Sequence, residues 1–88
     1  MDAIRRFERA LRIYESTVGR MHHEVARVLL NMSAAYKHLR DFEMAEELGM
    51  EAVRIFNLTL GRNHRETVRA RDSLLVIQMM IRKRRREM

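Results

Sequence analysis

Apolar side chains recur every three or four residues along most of the chain, which is the spacing of an amphipathic α-helix. This pattern predicts four helices, over residues 3–18, about 22–39, 42–60 and 64–81, and the last one ends there or continues into the basic segment that follows. The turns between them are short, so consecutive helices are expected to pack as antiparallel neighbours. The predicted fold class is therefore all-α.

Each of the first three helices has an apolar face that is expected to form the core. On the first helix the face consists of Ala3, Phe7, Ala10, Leu11, Tyr14 and Val18. On the second helix it consists of Val25, Leu29, Met32, Ser33 and Tyr36. On the third helix it consists of Ala45, Leu48, Ala52, Ile55 and Phe56. Gly49 lies within the third face, where the first helix has Phe7, and this predicts a locally thin or shifted contact and a weaker helix.

The chain contains an internal repeat with an offset of 42 residues. Residues 10–24 and 52–66 are identical at eight of 15 positions, and the identities include Gly19 and Gly61. Glycine commonly adopts the left-handed conformation that ends a helix, so both glycines are expected at helix C-termini. Repetition at a fixed period is typical of solenoids, in which stacked helical hairpins contact only their neighbours.

One complete unit has characteristic side chains at fixed positions on two successive helices and in the turn between them. These positions are Leu29, Met32, Ser33, Tyr36, Asp41, Phe42, Ala45 and Ala52. They are similar to the signature of the tetratricopeptide repeat, and the resemblance covers residues 3–80. It implies a short solenoid of stacked antiparallel hairpins. The period alone also admits a HEAT-type or armadillo-type repeat, but the alanine spacing on alternate helices favours the tetratricopeptide interpretation.

The linker that begins at each of these glycines narrows the resemblance to one variety of the tetratricopeptide repeat. It has the pattern Gly-Arg-x-His-x-Glu in both copies. Together with the 42-residue period, this linker is similar to the longer tetratricopeptide variety found in kinesin light chains. The chain has no heptad coiled coil that would join a kinesin heavy chain, so the resemblance concerns the type of domain and not the parent protein.

In this interpretation the chain holds the second helix of one unit, one full unit and the first helix of a third. The fourth helix has Arg71 and Gln78 where the second helix has Leu29 and Tyr36, so it is expected to act as a polar cap. The first helix has no such cap. Its apolar face is expected to meet further upstream repeats or a second copy of the chain, which would make a homodimer.

The resemblance also implies a binding groove, because the first helix of each tetratricopeptide unit lines a concave surface that receives a peptide. On the second helix the groove residues would be Arg27, Leu30, Asn31, Ala34 and Lys37. On the fourth helix they would be Arg69, Asp72, Ser73 and Val76. An amide such as that of Asn31 is able to hold a peptide N–H and C=O together. Arg27 and Arg69 are expected either to clamp a carboxylate jointly or to be solvated, and Asp72 weakens the case for an acidic ligand.

The net charge of +6 is unevenly distributed. Residues 82–88 carry five cations and one carboxylate, whereas residues 1–81 carry thirteen cations and eleven carboxylates. We therefore predict a repeat domain over residues 1–81 and a basic tail over residues 82–88. The cations of the tail are Arg82, Lys83, Arg84, Arg85 and Arg86. Three interpretations stay open: a nuclear-import signal, a contact with nucleic acid or another polyanion, and a solvated helix end.

No catalytic or metal-binding site is expected, and no cofactor. The chain lacks cysteine, which excludes a thiol nucleophile and a zinc finger. His22, His23 and His64 lie beside Glu24 and Glu66, but His22 and His64 occupy the same slot of the repeated linker, where helix capping explains them without a metal. No nucleophile elbow or phosphate-binding loop is present. No apolar run is long enough to span a membrane, and a cytoplasmic or nuclear location is expected.

The leading functional hypothesis is a non-enzymatic protein-interaction module that binds a peptide or partner helix in its groove and acts as a scaffold or adaptor. The first alternative is a helical domain that binds RNA or an acidic protein through its basic tail. The second alternative is a segment that caps a longer repeat array or drives dimerisation.

Overall fold

A computed structural model describes residues 2–87, and this range contains helices joined by short turns and no strand. The helices are α1 (Asp2–Thr17), α2 (His23–His38), α3 (Phe42–Thr59) and α4 (Arg65–Glu87). The predicted all-α class with four helices is confirmed. The last helix continues through the basic segment, so residues 82–87 are the final turns of α4. Met1 and Met88, the outer ends of the two predicted segments, lie outside the described residues.

The four helices form a slab of 44 × 32 × 14 Å in which helices adjacent in the chain pack on one another. The main core cluster joins α2, α3 and α4, and Leu11 and Tyr14 of α1 pack against its edge. Its fully buried members are Val25, Ala26, Leu29, Ala52, Ile55, Phe56 and Ala70. A second cluster forms nearer the C-terminus of α4 from Phe42, Ala45, Ile77 and Ile81. Because α3 packs extensively on both α2 and α4, it is the central helix of these three.

The glycines of the two linker copies have the same backbone conformation. Gly19 has φ 87° and Gly61 has φ 92°, and both lie directly after a helix C-terminus. The N–H of Gly19 donates to the Tyr14 carbonyl oxygen at 3.2 Å, and the N–H of Gly61 donates to that of Phe56 at 3.1 Å. These bonds satisfy carbonyl groups that the last helical turn leaves free. The predicted role of both glycines is confirmed.

The two linker histidines cap the helices that follow them, as predicted. His22 Nδ1 accepts a hydrogen bond from the Glu24 N–H at 3.1 Å, and His64 Nδ1 accepts one from the Glu66 N–H at the same distance. Each bond satisfies one of the free N–H groups of a first helical turn. The 42-residue repeat therefore extends from the sequence to individual hydrogen bonds.

Of the thin or shifted contact predicted at Gly49, the thin alternative is wrong. Gly49 is buried, and a Cβ atom at this position would lie 3.2 Å from Leu74 Cδ1 and 3.2 Å from Ser33 Oγ. Ser33 itself is 1% exposed, and its hydroxyl donates to the Ala45 carbonyl oxygen at 2.6 Å. The missing side chain lets α2 and α4 approach α3 closely, and Leu74 fills the space that a larger residue would have taken.

The apolar face predicted for α1 is only partly buried. Ile4, which was not assigned to that face, is 4% exposed, whereas Ala3 is exposed and Val18 is 46% exposed. Ile13 is 55% exposed, although Ile55 at the equivalent position of α3 is 0% exposed. The reason is that α3 is covered by α2 and by α4, whereas α1 packs mainly on α2 among residues 2–87. One side of α1 therefore stays open.

The polar surface predicted for α4 is interrupted by apolar residues. Arg71 and Gln78 are half-buried, so they shield the core as expected of a cap. Leu75 and Met79, however, are 50% and 55% exposed. The cap expectation therefore describes one part of α4 and misses an apolar strip on its outer side.

We expect Gly61→Ala to lower the free energy of unfolding by about 1 kcal/mol, because an L-residue adopts positive φ only with strain. The space around Gly61 is empty, so the loss would come from the backbone and not from a steric clash. Urea unfolding followed by circular dichroism measures it, with Asn63→Ala in the same turn as the control. Equal stabilities of the two variants would contradict this account of the helix end.

Candidate functional site

A cleft of about 250 Å³ lies between α2 and α4. Five residues predicted for the groove line it: Arg27, Leu30 and Asn31 from α2, and Arg69 and Ser73 from α4. Phe56 of α3 forms its floor, and Glu66 of the first turn of α4 lies at its edge. The cleft is a small pocket with a polar rim and an apolar floor.

The repeat explains why these side chains meet. Arg27 and Arg69 are 42 residues apart, and so are Asn31 and Ser73, so each pair occupies equivalent positions on α2 and α4. Side chains four residues apart share one face of a helix. Because α2 and α4 both pack on α3, the two faces lie next to each other above Phe56.

Arg27 is held by two carboxylates of the same chain. Its Nε and Nη2 donate to the two Glu66 carboxylate oxygens at 2.6 Å each, and its Nη1 donates to Glu24 Oε1 at 2.5 Å. The hydrogen bonds from Arg27 lower the pKa of Glu66, and those to Glu66 and Glu24 raise the pKa of Arg27. The joint carboxylate clamp predicted for Arg27 and Arg69 is therefore wrong as stated, because the fork of Arg27 is already occupied.

The remaining polar groups of the cleft lie on α2 and α4 and differ in the hydrogen bonds that they are able to form. Arg69 is exposed and forms no ion pair with another residue of the range 2–87. Asn31 offers both a donor and an acceptor, and the half-buried Ser73 offers a hydroxyl. The half-buried Leu30 supplies apolar surface, and the fully buried Phe56 lies beneath it. This set suits a segment of polypeptide, whose backbone needs both donors and acceptors.

Two residues of the cleft were not foreseen as part of it. Glu66 was assigned to the linker, and Phe56 was assigned to the core. The sequence offered one indication that Glu66 lies near Arg27. Glu66 is equivalent to Glu24, and Glu24 lies one helical turn before Arg27. For Phe56 the sequence offers no signal, because its side chain is 0% exposed and reaches the cleft only through the packing of three helices.

Comparison with known proteins identifies the family of this fold. The sequence profile described as Tetratricopeptide repeat matches residues 1–58, which is more than half of the chain. The chain belongs to the tetratricopeptide repeat family. This family is a non-enzymatic protein-interaction fold that mediates interaction and scaffolding. None of the curated proteins compared with the chain matches it.

The match covers α1, α2 and nearly all of α3. The α2 side of the cleft therefore lies inside the matched residues, and the α4 side lies outside them. Four of the residues predicted for the groove do not line this cleft. Ala34 and Lys37 are half-buried further along α2, and Asp72 and Val76 are exposed on α4.

The basic residues predicted as a tail are part of the last helix of the tetratricopeptide fold. Arg84 points to the body of the domain, where it pairs with Glu43 and its guanidinium lies 5.8 Å from the centre of the Phe42 ring. Arg82, Lys83, Arg85 and Arg86 are exposed. Arg84 therefore anchors the end of α4, whereas its four neighbours face solvent.

The described part of the tetratricopeptide fold shows neither a metal cluster nor a membrane span. Residues 2–87 contain no group of three or more His, Cys, Asp or Glu side chains placed to hold a metal ion. His22 and His23 stack with ring centres 4.3 Å apart, and the Nδ1 of His22 is engaged in the helix cap. No helix within the same range has both the length and the apolar character needed to cross a bilayer.

We expect Glu66→Gln to lower the free energy of unfolding by about 1 kcal/mol near neutral pH, because the bidentate contact with Arg27 loses its charge. The pKa of Glu66 is lower in the folded chain than its ordinary value of 4.5. Its contribution is therefore complete above that value and is lost as the pH falls through the depressed folded pKa.

The stability difference between wild type and Glu66→Gln should accordingly close in acid, which urea unfolding at a series of pH values measures. Glu47→Gln is the control, since Glu47 is exposed on α3 and forms no ion pair with any other residue between Asp2 and Glu87. A difference that stays constant down to the acid limit would contradict a charge-dependent role for Glu66.

Proposed function

We propose that the cleft between α2 and α4 binds an extended peptide or partner helix, and that the chain acts as a scaffold or adaptor without enzymatic activity. The observation that carries this proposal is the convergence of Arg27, Leu30, Asn31, Arg69 and Ser73 from two helices on one cleft with an apolar floor. Membership of an interaction family supports it.

The proposed mechanism divides recognition between backbone and side chains of the ligand. Asn31 donates to and accepts from one peptide unit, which holds the ligand independently of its sequence. Ser73, at the equivalent position of α4, contacts the next polar group. Leu30 receives one apolar side chain of the ligand above the buried Phe56, and the apolar area buried there adds to the affinity.

The charges around the cleft select a ligand with few charges. Glu24 and Glu66 balance Arg27, and Asp72 lies on the same helix as Arg69. Arg69 is left as the cation that would donate hydrogen bonds to a single carboxylate or carbonyl of the ligand. A strongly acidic peptide gains little here, because carboxylates of the chain already occupy Arg27.

We also propose that the units are of the 42-residue variety found in kinesin light chains. The repeated Gly-Arg-x-His-x-Glu linker supports this, since both copies use glycine to end one helix and histidine to cap the next. A cytoplasmic or nuclear location belongs to the same proposal. The open side of α1, with Ile13 55% exposed, favours the additional role of stacking against another repeat or a second copy.

Selection of peptides from a displayed library, followed by calorimetric titration of the best binder, tests the groove. We expect Asn31→Ala to weaken binding about tenfold through the loss of two hydrogen bonds, and Arg69→Ala to weaken binding of ligands that carry a carboxylate. Asn57→Ala is the matched control, because Asn57 is an exposed asparagine on α3 away from the cleft.

Two outcomes would contradict the proposed groove. The first is equal affinity of the selected peptide for wild type and for Asn31→Ala. The second is loss of binding when Arg82, Arg85 and Arg86 are replaced by serine, which would support the alternative that polyanions bind at the end of α4.

A further inference from the structure

One side of α4 has no helix packed on it within residues 2–87. The 42-residue offset aligns Leu75 of α4 with Ser33 of α2. Ser33 is 1% exposed and its hydroxyl donates to the Ala45 carbonyl oxygen of α3, whereas Leu75 is 50% exposed. The side of α2 on which α3 packs therefore corresponds to a side of α4 on which no helix of this range packs.

This open face of α4 consists of Leu75, Met79, Arg82, Lys83 and Arg86. Their spacing of three and four residues places them along one side of the helix, and all five are exposed. Together with Arg85 they line one shallow surface depression. The open face is therefore apolar in the middle of α4 and cationic at its C-terminal end, so it suits an amphipathic ligand with carboxylates at one end.

The start of α3 indicates how such a ligand would lie. Its first two turns carry Glu43, Glu46 and Glu47, which is the favourable sign for the positive end of a helix dipole. Glu43 accepts a hydrogen bond from Arg84 near the end of α4, and this contact lowers the pKa of Glu43. The acidic first turn of α3 is thus already paired with the basic end of α4 within this chain.

We propose that the open face of α4 docks an amphipathic helix of another protein, antiparallel to α4, with carboxylates in its first two turns. These carboxylates pair with Arg82, Lys83 and Arg86, and the apolar stripe of the ligand covers Leu75 and Met79. The arrangement repeats the packing of α3 on α2. It does not involve the α2–α4 cleft, so its outcome is independent of the groove.

For antiparallel docking, charge disfavours the open α1 of a second copy as the occupant. The outer surface of α1 has a patch lined by Asp2, Arg5, Arg6 and Arg9, and three of these four residues are cations. Docking α1 on the open face would place these arginines near the cationic end of α4. Like charges brought together at an interface disfavour such a partner.

Two synthetic amphipathic helices of about 20 residues with the same composition test the proposal. One carries its glutamates in the first two turns, and the other carries them in the last two turns. Fluorescence anisotropy with the full chain at about 150 mM salt measures both affinities. We expect the first peptide to bind about tenfold more tightly than its isomer. We also expect the affinity of the first peptide to fall as the salt concentration increases.

Substitutions in the protein then locate the binding surface. We expect Leu75→Ser and Met79→Ser each to weaken binding of the first peptide about tenfold, and Arg82→Glu to weaken it by a similar factor. Leu58→Ser and Arg62→Glu are the matched controls, because both residues are exposed and lie outside α4. Circular dichroism of every variant should match wild type, since none of the substituted side chains belongs to the buried core.

Three outcomes would overturn the proposal. Equal affinity for the two peptides would exclude the antiparallel charge match. Binding of a single-stranded RNA homopolymer that Leu75→Ser leaves intact, together with no binding of either peptide, would assign the basic end to polyanions. A dimer in light scattering that Leu75→Ser dissociates would show that a second copy covers the open face.

Discussion

The burial of α3 between α2 and α4 is the constraint on which the rest of the structure depends. Ile55 and Phe56 are 0% exposed because two helices cover α3. Gly49 makes this possible, since a Cβ atom there would press on Ser33 and Leu74 at once. With both outer helices close to α3, equivalent side chains of α2 and α4 come side by side. The cleft is a consequence of this packing.

The contact between Arg27 and Glu66 determines the chemistry of the cleft. It joins the second turn of α2 to the first turn of α4, and so it connects two successive repeat units. An arginine that already holds two carboxylates is a poor receptor for a third. The polar groups left for a ligand are therefore the amide of Asn31, the hydroxyl of Ser73 and the guanidinium of Arg69. This set favours recognition of a peptide backbone over recognition of an anion.

The two ends of the slab are open for the same geometric reason but differ in chemistry. In a solenoid each inner helix is covered on two sides, whereas α1 and α4 each have a side that no helix of residues 2–87 covers. On α1 this side has Ile13 among alanines and arginines, whereas on α4 it has Leu75 and Met79 followed by a cationic end. Arg84 strengthens the difference, because its contacts with Glu43 and Phe42 fix the last turns of α4 to the domain.

Much of this architecture follows from local patterns that are legible in the sequence. The apolar period specifies helices, Gly19 and Gly61 end them, and His22 and His64 cap the next ones, because each of these effects acts within one or two helical turns. The 42-residue offset also places Arg27 and Arg69, and Asn31 and Ser73, at equivalent positions. Five of the nine residues expected in the groove line the cleft, and four of the five belong to these two pairs.

The sequence by itself thus determined the helices, their linkers and the equivalence of positions between units. Only the tertiary structure decided which equivalent positions are buried, as Ile55 and Ile13 demonstrate, because burial depends on whether a neighbouring helix is present. It also decided that Gly49 marks a close approach, that Arg27 pairs with Glu66, and that Phe56 forms the floor of the cleft. These contacts join residues of different helices, and their distances depend on how the helices pack and not on local spacing.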